Sequence, residues 1–119
     1  MNGAVLIRWG QGIPGREPKG LEVFGKAVAR FEQLTKEGRV HGHREYFSLT
    51  GHDGGFMVID GEVDDLLKVL AEEDTIRLNA QAAAVVQDFE IQAFAGGNDQ
   101  SVQQLMGAYA GSLQEIGYL

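Results

Sequence analysis

A chain of 119 residues, 44% of them apolar, is long enough for one domain with one core and too apolar to be disordered. The net charge of −7 disfavours nucleic acid and anionic membranes as partners, because phosphate groups bind to positive surfaces. The absence of cysteine excludes disulfides, thiolate nucleophiles and cysteine-ligated metal centres. No apolar run reaches the roughly 18–20 residues of a membrane span, and residues 1–8 lack the features of a signal peptide. The expected location is the cytoplasm.

The first predicted elements are a strand and a helix joined by a glycine-rich loop. A short apolar run at residues 4–9 indicates the strand, and the loop at residues 10–20 contains four glycines and both prolines of the chain. Residues 21–37 carry apolar side chains at helical spacing. Gly38 suits the position after the helix, where the left-handed conformation is favoured.

The middle of the chain is predicted to be a β-hairpin that holds all three histidines. Its strands lie near residues 40–49 and 56–61. The residues between them, 50–55, are rich in types that tolerate positive φ.

The second half of the chain repeats the alternation of helix and strand. A helix begins at Asp64 or Asp65, and the alanine-rich residues 75–84 are also predicted to be helical. Residues 85–94 alternate between apolar and polar types, which indicates a half-buried strand. A final helix is predicted over residues 99–118.

The resulting order is β-α-β-β-α-β plus a C-terminal helix, within one domain spanning residues 1–119. Right-handed crossovers place such strands in one four-stranded antiparallel sheet with both helices on one face, a ferredoxin-like α+β fold. The first strand is apolar on both faces, since Val5 and Ile7 alternate with Ala4 and Leu6. The face without helices therefore needs another cover. A second copy of the same sheet is the simplest one, so we predict a sheet-to-sheet homodimer.

This element order, together with residues 55–67 and 85–94, resembles the dimeric α+β barrel superfamily, which includes small monooxygenases, muconolactone isomerase-like proteins and YCII-related proteins. The resemblance extends from residue 4 to about residue 94. It implies a ferredoxin-like fold and a dimer. YCII-like proteins usually carry a histidine near the start of the first helix, and residues 21–37 contain none. The resemblance therefore implies no particular activity.

The first candidate site lies on the first hairpin strand, where His41, His43 and Glu45 alternate and so share one face. A histidine beside a carboxylate can act as a general base, so these three are the candidate catalytic residues. The same His-X-His spacing suits a divalent metal such as zinc or iron. The simplest alternative is a polar edge strand without a function.

The second candidate site is a ligand pocket. Arg44 and Tyr46 point to the other face of that strand, and with Arg8 and Trp9 they are predicted to bind a carboxylate or aromatic ligand. Trp9 can instead be a core or interface anchor. The glycine-rich loop lacks the spacings of nucleotide-binding motifs, and no cofactor is expected.

Three functions remain open from the sequence. The first is a small-molecule-binding protein or cofactor-free enzyme, such as an oxygenase or isomerase, with a pocket lined by Trp9, His41, His43, Arg44 and Tyr46. The second is a non-catalytic assembly or regulatory module. The third is a metal-binding protein. An interior cavity that reaches His43 would favour an enzyme, and a filled interior would favour the module.

Overall fold

A computed structural model describes all 119 residues. The strands pair antiparallel in one four-stranded sheet, in which the second strand of the chain lies beside the third, the third beside the first, and the first beside the fourth. This arrangement confirms the predicted ferredoxin-like fold. No helix is long and apolar enough to cross a membrane. The elements in chain order are β1 (Asn2–Trp9), α1 (Glu17–Lys36), β2 (Gly42–Phe47), β3 (Gly55–Glu62), α2 (Val63–Ala71), α3 (Glu73–Val85), β4 (Glu90–Ala95) and α4 (Asp99–Glu115).

Helix α1 begins four residues before its predicted start, inside the glycine-rich loop. Pro18 lies in its first turn, where a missing N–H costs no intrahelical hydrogen bond and the fixed φ suits the helix. The proline that indicated a loop is therefore part of the helix start. After α1, Gly38 has a φ of 74°, as its position at the helix end requires.

The largest boundary error concerns β4, which starts at Glu90 instead of residue 85. Val85 is the buried last residue of α3, and Val86 forms only an isolated bridge to Gly12. Asp88 then has a φ of 55°, which breaks the extended backbone before β4. An apolar pair that resembles the start of a strand in sequence is here the anchored end of a helix.

The core lies between one face of the sheet and helices α1 and α2. A cluster of nine buried residues fills it, and α1 and α3 are joined by a smaller buried cluster of Val23, Leu78 and Val85. Burying such side chains supplies the main free energy of folding. The nine residues are Val5, Ile7, Phe31, Leu34, Val40, Met57, Ile59, Leu66 and Val69.

The other face of the sheet, which we call the open face, has no helix against it. The strand register places one set of side chains there, and several are exposed even though they are apolar: Phe56 is 39% exposed and Phe94 49%. The apolar residues of the open face are Ala4, Leu6, Tyr46, Phe56, Val58 and Phe94.

Candidate ligand-binding site

A cavity of about 420 Å³ lies between the sheet and helices α1 and α3. Of the 21 residues that line it, 14 are hydrophobic. Pockets that bury small organic molecules are typically about 300–1,000 Å³ in volume and mostly apolar. The cavity therefore has the size and the chemistry of a binding site for such a molecule.

Three aromatic rings from three different elements form one wall of the cavity. Trp9 ends β1, Phe24 lies on α1, and Phe47 ends β2. Their ring centroids are 5.1–6.1 Å apart and the rings are tilted or edge-to-face, which is the favoured geometry of aromatic clusters. Phe47 is 61% exposed, so this wall reaches from the core to the surface.

The indole of Trp9 lies directly against the backbone at Gly54 and Gly55. A Cβ atom at Gly54 would overlap the indole ring and the carbonyl oxygen of Gly10, and one at Gly55 would lie 2.9 Å from Trp9 Cζ2. The sequence pattern predicts a turn with positive φ in this loop, but only Gly51 has one, at 79°. Gly54 and Gly55 instead leave room for the Trp9 indole and for the backbone carbonyl oxygens of Gly10 and Tyr46.

The cavity contains few polar side chains, and Asn79 is the notable one. It lies half-buried on α3 beside Leu78, and its side chain makes no hydrogen bond within the protein. Gln11, by contrast, donates a hydrogen bond from Nε2 to the carbonyl oxygen of His52 at 2.8 Å. The Asn79 amide is thus free to donate and accept hydrogen bonds with a bound molecule.

His43 lies outside this cavity, between β2 and α1. It is on the helix-covered face of the sheet, and its side chain is only 11% exposed. Nε2 is 2.7 Å from Oε2 of Glu32 on α1, and Nδ1 contacts Oε1 of Glu45. Both ring nitrogens therefore face carboxylates, which suits a doubly protonated imidazolium that donates to each.

The same contacts explain the protonation behaviour of this group. Burial lowers the pKa of His43, but the hydrogen bonds and charges of Glu32 and Glu45 outweigh it, so the pKa is raised above its ordinary value of 6.5. The hydrogen bond to His43 lowers the pKa of Glu32. The arrangement links the edge strand β2 to α1 as an ion pair.

His41 is not part of this cluster. It precedes the first residue of β2 and is exposed, and its backbone N–H donates to the carbonyl oxygen of Asp60 at 2.7 Å. No group of three or more histidine, aspartate or glutamate side chains is arranged to hold a metal ion. The structure therefore does not bring His41 and His43 together as a metal site.

The residues of the single predicted pocket lie on opposite faces of the sheet, so the structure does not bring them together. Trp9 lines the cavity, whereas Arg8, its neighbour on β1, points to the open face, since adjacent strand residues alternate. Arg44 and Tyr46 also lie on the open face. The roles predicted for these residues stay predictions.

On the open face these residues have partners of their own. Arg44 Nη2 is 3.3 Å from Oδ2 of Asp60, and the Tyr46 ring stacks on Phe56 with a centroid distance of 4.9 Å. Arg8 lies between Asp53 and Glu90, with Nη atoms 3.7 and 3.8 Å from their carboxylate oxygens.

The cavity residues that sequence reasoning missed include Phe24, Phe47 and Asn79. Phe24 was predicted on the apolar stripe of the first helix, where nothing distinguishes a cavity wall from a packed core. Asn79 did carry a signal, since it interrupts an alanine-rich helix with an amide, a residue type that disfavours helix interiors. Only the tertiary structure brings it into the apolar cavity.

Comparison with protein-family models and with curated proteins finds no match. Solved structures do match. A dimeric protein of unknown function and ferredoxin-like fold from Bacteroides fragilis has a TM-score of 0.58 at 7% identity, covering 77% of this chain and 93% of its own. A conserved protein from Methanosarcina mazei has a TM-score of 0.59 at 14% identity, covering 78% and 91%.

A third similar structure is a variant of SnoaB from Streptomyces nogalater, described as a cofactor-independent oxygenase. Its TM-score is 0.61 at 14% identity, and the match covers 82% of this chain and 93% of SnoaB. At such identities the likeness establishes the fold alone. The ferredoxin-like fold implied by the resemblance to the dimeric α+β barrel superfamily is thereby confirmed.

Proposed function

We propose that the protein binds a small, largely apolar organic molecule in the cavity between the sheet and helices α1 and α3. The observation that carries this proposal is the cavity itself, about 420 Å³ with 14 hydrophobic residues among the 21 that line it. Protein interiors are normally close-packed, and an unfilled apolar space loses dispersion contacts. A ligand that fills the cavity restores those contacts, and its own apolar surface is transferred out of water.

The lining also favours a particular kind of molecule. The rings of Trp9, Phe24 and Phe47 suit a flat apolar body, because aromatic faces and edges pack well against one another. The free amide of Asn79 supports one polar group on that body, since a hydrogen bond in an apolar cavity fixes orientation.

Trp9, the only tryptophan of the chain, provides the measurement. We expect the bicyclic aromatic ketone 1-tetralone to quench Trp9 fluorescence saturably, with a matching binding isotherm by calorimetry. In the variant Ala82→Leu, an added isobutyl group on α3 fills part of the cavity, and we expect affinity to fall at least about tenfold, the equivalent of about 1.4 kcal/mol.

Ala83→Leu is the matched control, because Ala83 is exposed on the same helix and does not line the cavity. It makes the same chemical change and should leave affinity as in the wild type. Absence of saturable binding, or equal affinity in the two leucine variants, would contradict the proposal.

A second candidate is that the bound molecule is also transformed, as an oxygenase or isomerase would do. The similarity to SnoaB, an oxygenase described as independent of cofactors, supports it only at the level of fold. The catalytic roles predicted for His41, His43 and Glu45 require chemistry between β2 and α1, outside the cavity. We therefore expect His43→Ala to leave 1-tetralone affinity within about twofold of the wild type. A larger loss would connect the histidine to the ligand.

The protein is further proposed to be a homodimer in which two open faces pair. The centre of that face is apolar, while its charges are paired within the protomer, Arg44 with Asp60 and Arg8 with Glu90. The Bacteroides fragilis protein of similar fold is described as dimeric. A sheet face with an apolar centre and charges that are paired within the protomer is typical of surfaces that associate.

A further inference from the structure

Helix α4 has an apolar side that its own protomer leaves largely exposed, although Leu105 and Leu113 are half-buried. Of its 17 residues only Ser101, in the first turn, is buried. Met106 is 63% exposed, Tyr109 69% and Ile116 65%. These side chains recur at helical spacing and form what we call the α4 stripe: Val102, Leu105, Met106, Tyr109, Leu113 and Ile116.

A helix in this position needs a packing partner. Most helical stability in proteins comes from burying an apolar face in tertiary packing, and much less comes from the intrinsic helix propensity of the chain. Gly107 and Gly111 weaken α4 further, because glycine is a poor helix former. Its start is well fixed, since the Asn98 side chain accepts a hydrogen bond from the Ser101 N–H at 2.8 Å, but a cap does not bury the stripe.

We propose that α4 is an arm that packs its stripe against a second copy of this chain. The proposal goes beyond the ligand-binding function and uses a surface remote from the cavity lining. It extends the proposed pairing of open faces by giving the dimer a second area of contact.

The size of the open face argues for this extra contact. Four strands spaced about 4.8 Å apart and up to eight residues long cover a face of about 500 Å². A stable interface usually buries about 800 Å² on each partner. A 17-residue helix is about 25 Å long, and a stripe about 10 Å wide along it adds about 250 Å². The stripe therefore adds about half again to the flat area of the open face and brings the combined contact closer to the size of a stable interface.

Charge argues for a second copy as the occupant. The protein carries a net charge of −7, so most surfaces of two copies repel each other. The α4 stripe contains no charged residue, and the arginines of the open face are paired with carboxylates of the same protomer. These two surfaces are therefore regions where two copies can approach without that repulsion.

The first turn of α4 is attached to the ends of β1 and β4. It follows the edge strand β4 after a turn at residues 96–98, and Ser101 Oγ accepts a hydrogen bond from the Asn2 backbone N–H at 2.9 Å. The base of the arm is thus held at the end of β1 and β4, two strands that contribute Leu6 and Phe94 to the open face. Surfaces so connected can belong to one continuous interface.

The test compares two double variants that add the same charge to opposite sides of α4. Met106→Glu with Tyr109→Glu places two carboxylates on the stripe, and Gln104→Glu with Gln114→Glu places two on the exposed polar side. By sedimentation velocity we expect a dimer for the wild type and the glutamine-site control. For the stripe variant we expect the dimer dissociation constant to rise at least about 100-fold.

Two other outcomes would overturn the proposal. A wild-type chain that is monomeric up to about 100 μM would overturn the arm and the sheet pairing together, while leaving ligand binding untouched. A stripe variant as dimeric as its control would overturn the arm alone.

Because the chain lacks cysteine, a single introduced thiol measures whether its position on α4 is shielded by a second copy. In Tyr109→Cys we expect maleimide labelling to slow at least about tenfold between dilute and concentrated protein. In Gln104→Cys we expect no such change. Equal labelling behaviour at the two positions would contradict the arm even where the double variants differ.

Discussion

The two faces of the sheet carry similar apolar side chains but differ in how far these are buried. On β1, Val5 and Ile7 point to the helices and are at most 5% exposed, while Ala4 and Leu6, their neighbours, point to the open face and remain half-buried. Both sets are apolar. The covered face therefore supplies the core around which the protomer folds. The open face is apolar surface that the protomer does not bury against any helix of its own.

The covered face itself is divided into a packed end and a hollow end. Around Val5, Ile59 and Leu34 the side chains are at most 3% exposed and form the main core. Toward Trp9 and Phe47 the helices and the sheet enclose the cavity instead. The packed end thus holds the main core, and the hollow end leaves an apolar space between the sheet and helices α1 and α3.

The largest expected effect is a difference between the two faces in the free energy of unfolding that a truncated side chain loses. Ile59→Ala on the covered face should reduce the free energy of unfolding by about 2–5 kcal/mol, because a side chain that is 1% exposed leaves a cavity when truncated. Leu6→Ala on the open face should cost about 1 kcal/mol at concentrations where the chain is monomeric. Urea unfolding at low protein concentration measures both. Equal losses would show that the open face is as well packed as the covered one.

The next expected effect is a change in association caused by a charge on the open face. Phe56→Glu places that charge where the native ring stacks on Tyr46, and it should weaken dimerisation by at least about 2 kcal/mol without unfolding the protomer. Leu49→Glu, at the 97% exposed tip of the hairpin, is the control. Sedimentation equilibrium gives both dissociation constants. A Phe56→Glu protein as dimeric as the control would exclude the open face from the interface.

A third effect sharpens the difference between the packed and hollow ends. Gly54→Ala should cost about 1–3 kcal/mol, since the new Cβ overlaps the Trp9 indole, and it should shift the emission of that ring. Gly42→Ala adds the same methyl group where nothing lies within 4 Å. Chemical unfolding followed by Trp9 fluorescence reports both quantities. Unchanged emission in Gly54→Ala would contradict the close packing of the Trp9 indole against Gly54.

The smallest effect is the pH dependence of the ion pair between β2 and α1. The pKa of His43 is raised, so its stabilisation is fully present below its ordinary value of 6.5 and is lost as pH rises through the raised pKa. The pKa of Glu32 is lowered, so its contribution is present above 4.5 and is lost as pH falls through the lowered pKa. The stabilisation should therefore be greatest between about pH 4.5 and 6.5.

The variant His43→Gln removes the titrating group and should flatten that profile in thermal unfolding scans from pH 4 to 9. The control is His41→Gln, because His41 is exposed and has no carboxylate partner. An unchanged profile in His43→Gln would mean that this ion pair does not contribute to stability.

The sequence was sufficient for the fold because periodicity is a local property. Alternation in residues 4–9 and helical spacing in residues 21–37 survive in the structure, since each pattern states which side chains must be buried together. The predicted boundary of an element was wrong where an apolar residue fits the pattern of both a helix end and a strand start. Val85 matched the start of a strand by pattern, but packing against Val23 and Leu78 makes it the end of a helix.

The candidate site was predictable only in part. The structure places Trp9 at the cavity, whereas Arg8, Arg44 and Tyr46 lie on the other face of the sheet. The ligand-binding role of these residues stays a prediction. His43 was predicted to face Glu45 and does so. Its contact with Glu32 depends on how α1 lies over β2, and no local pattern contains that information.

By itself the sequence determined the element order, the antiparallel sheet and the presence of two apolar faces, because hydrophobic periodicity encodes burial residue by residue. The tertiary structure alone decided which apolar residues enclose space and which fill it. A cavity is the gap left when helices of fixed length cross a twisted sheet, so its position depends on the angles and distances between elements. That is why Asn79 and Phe47, distant in sequence from Trp9, line the same cavity.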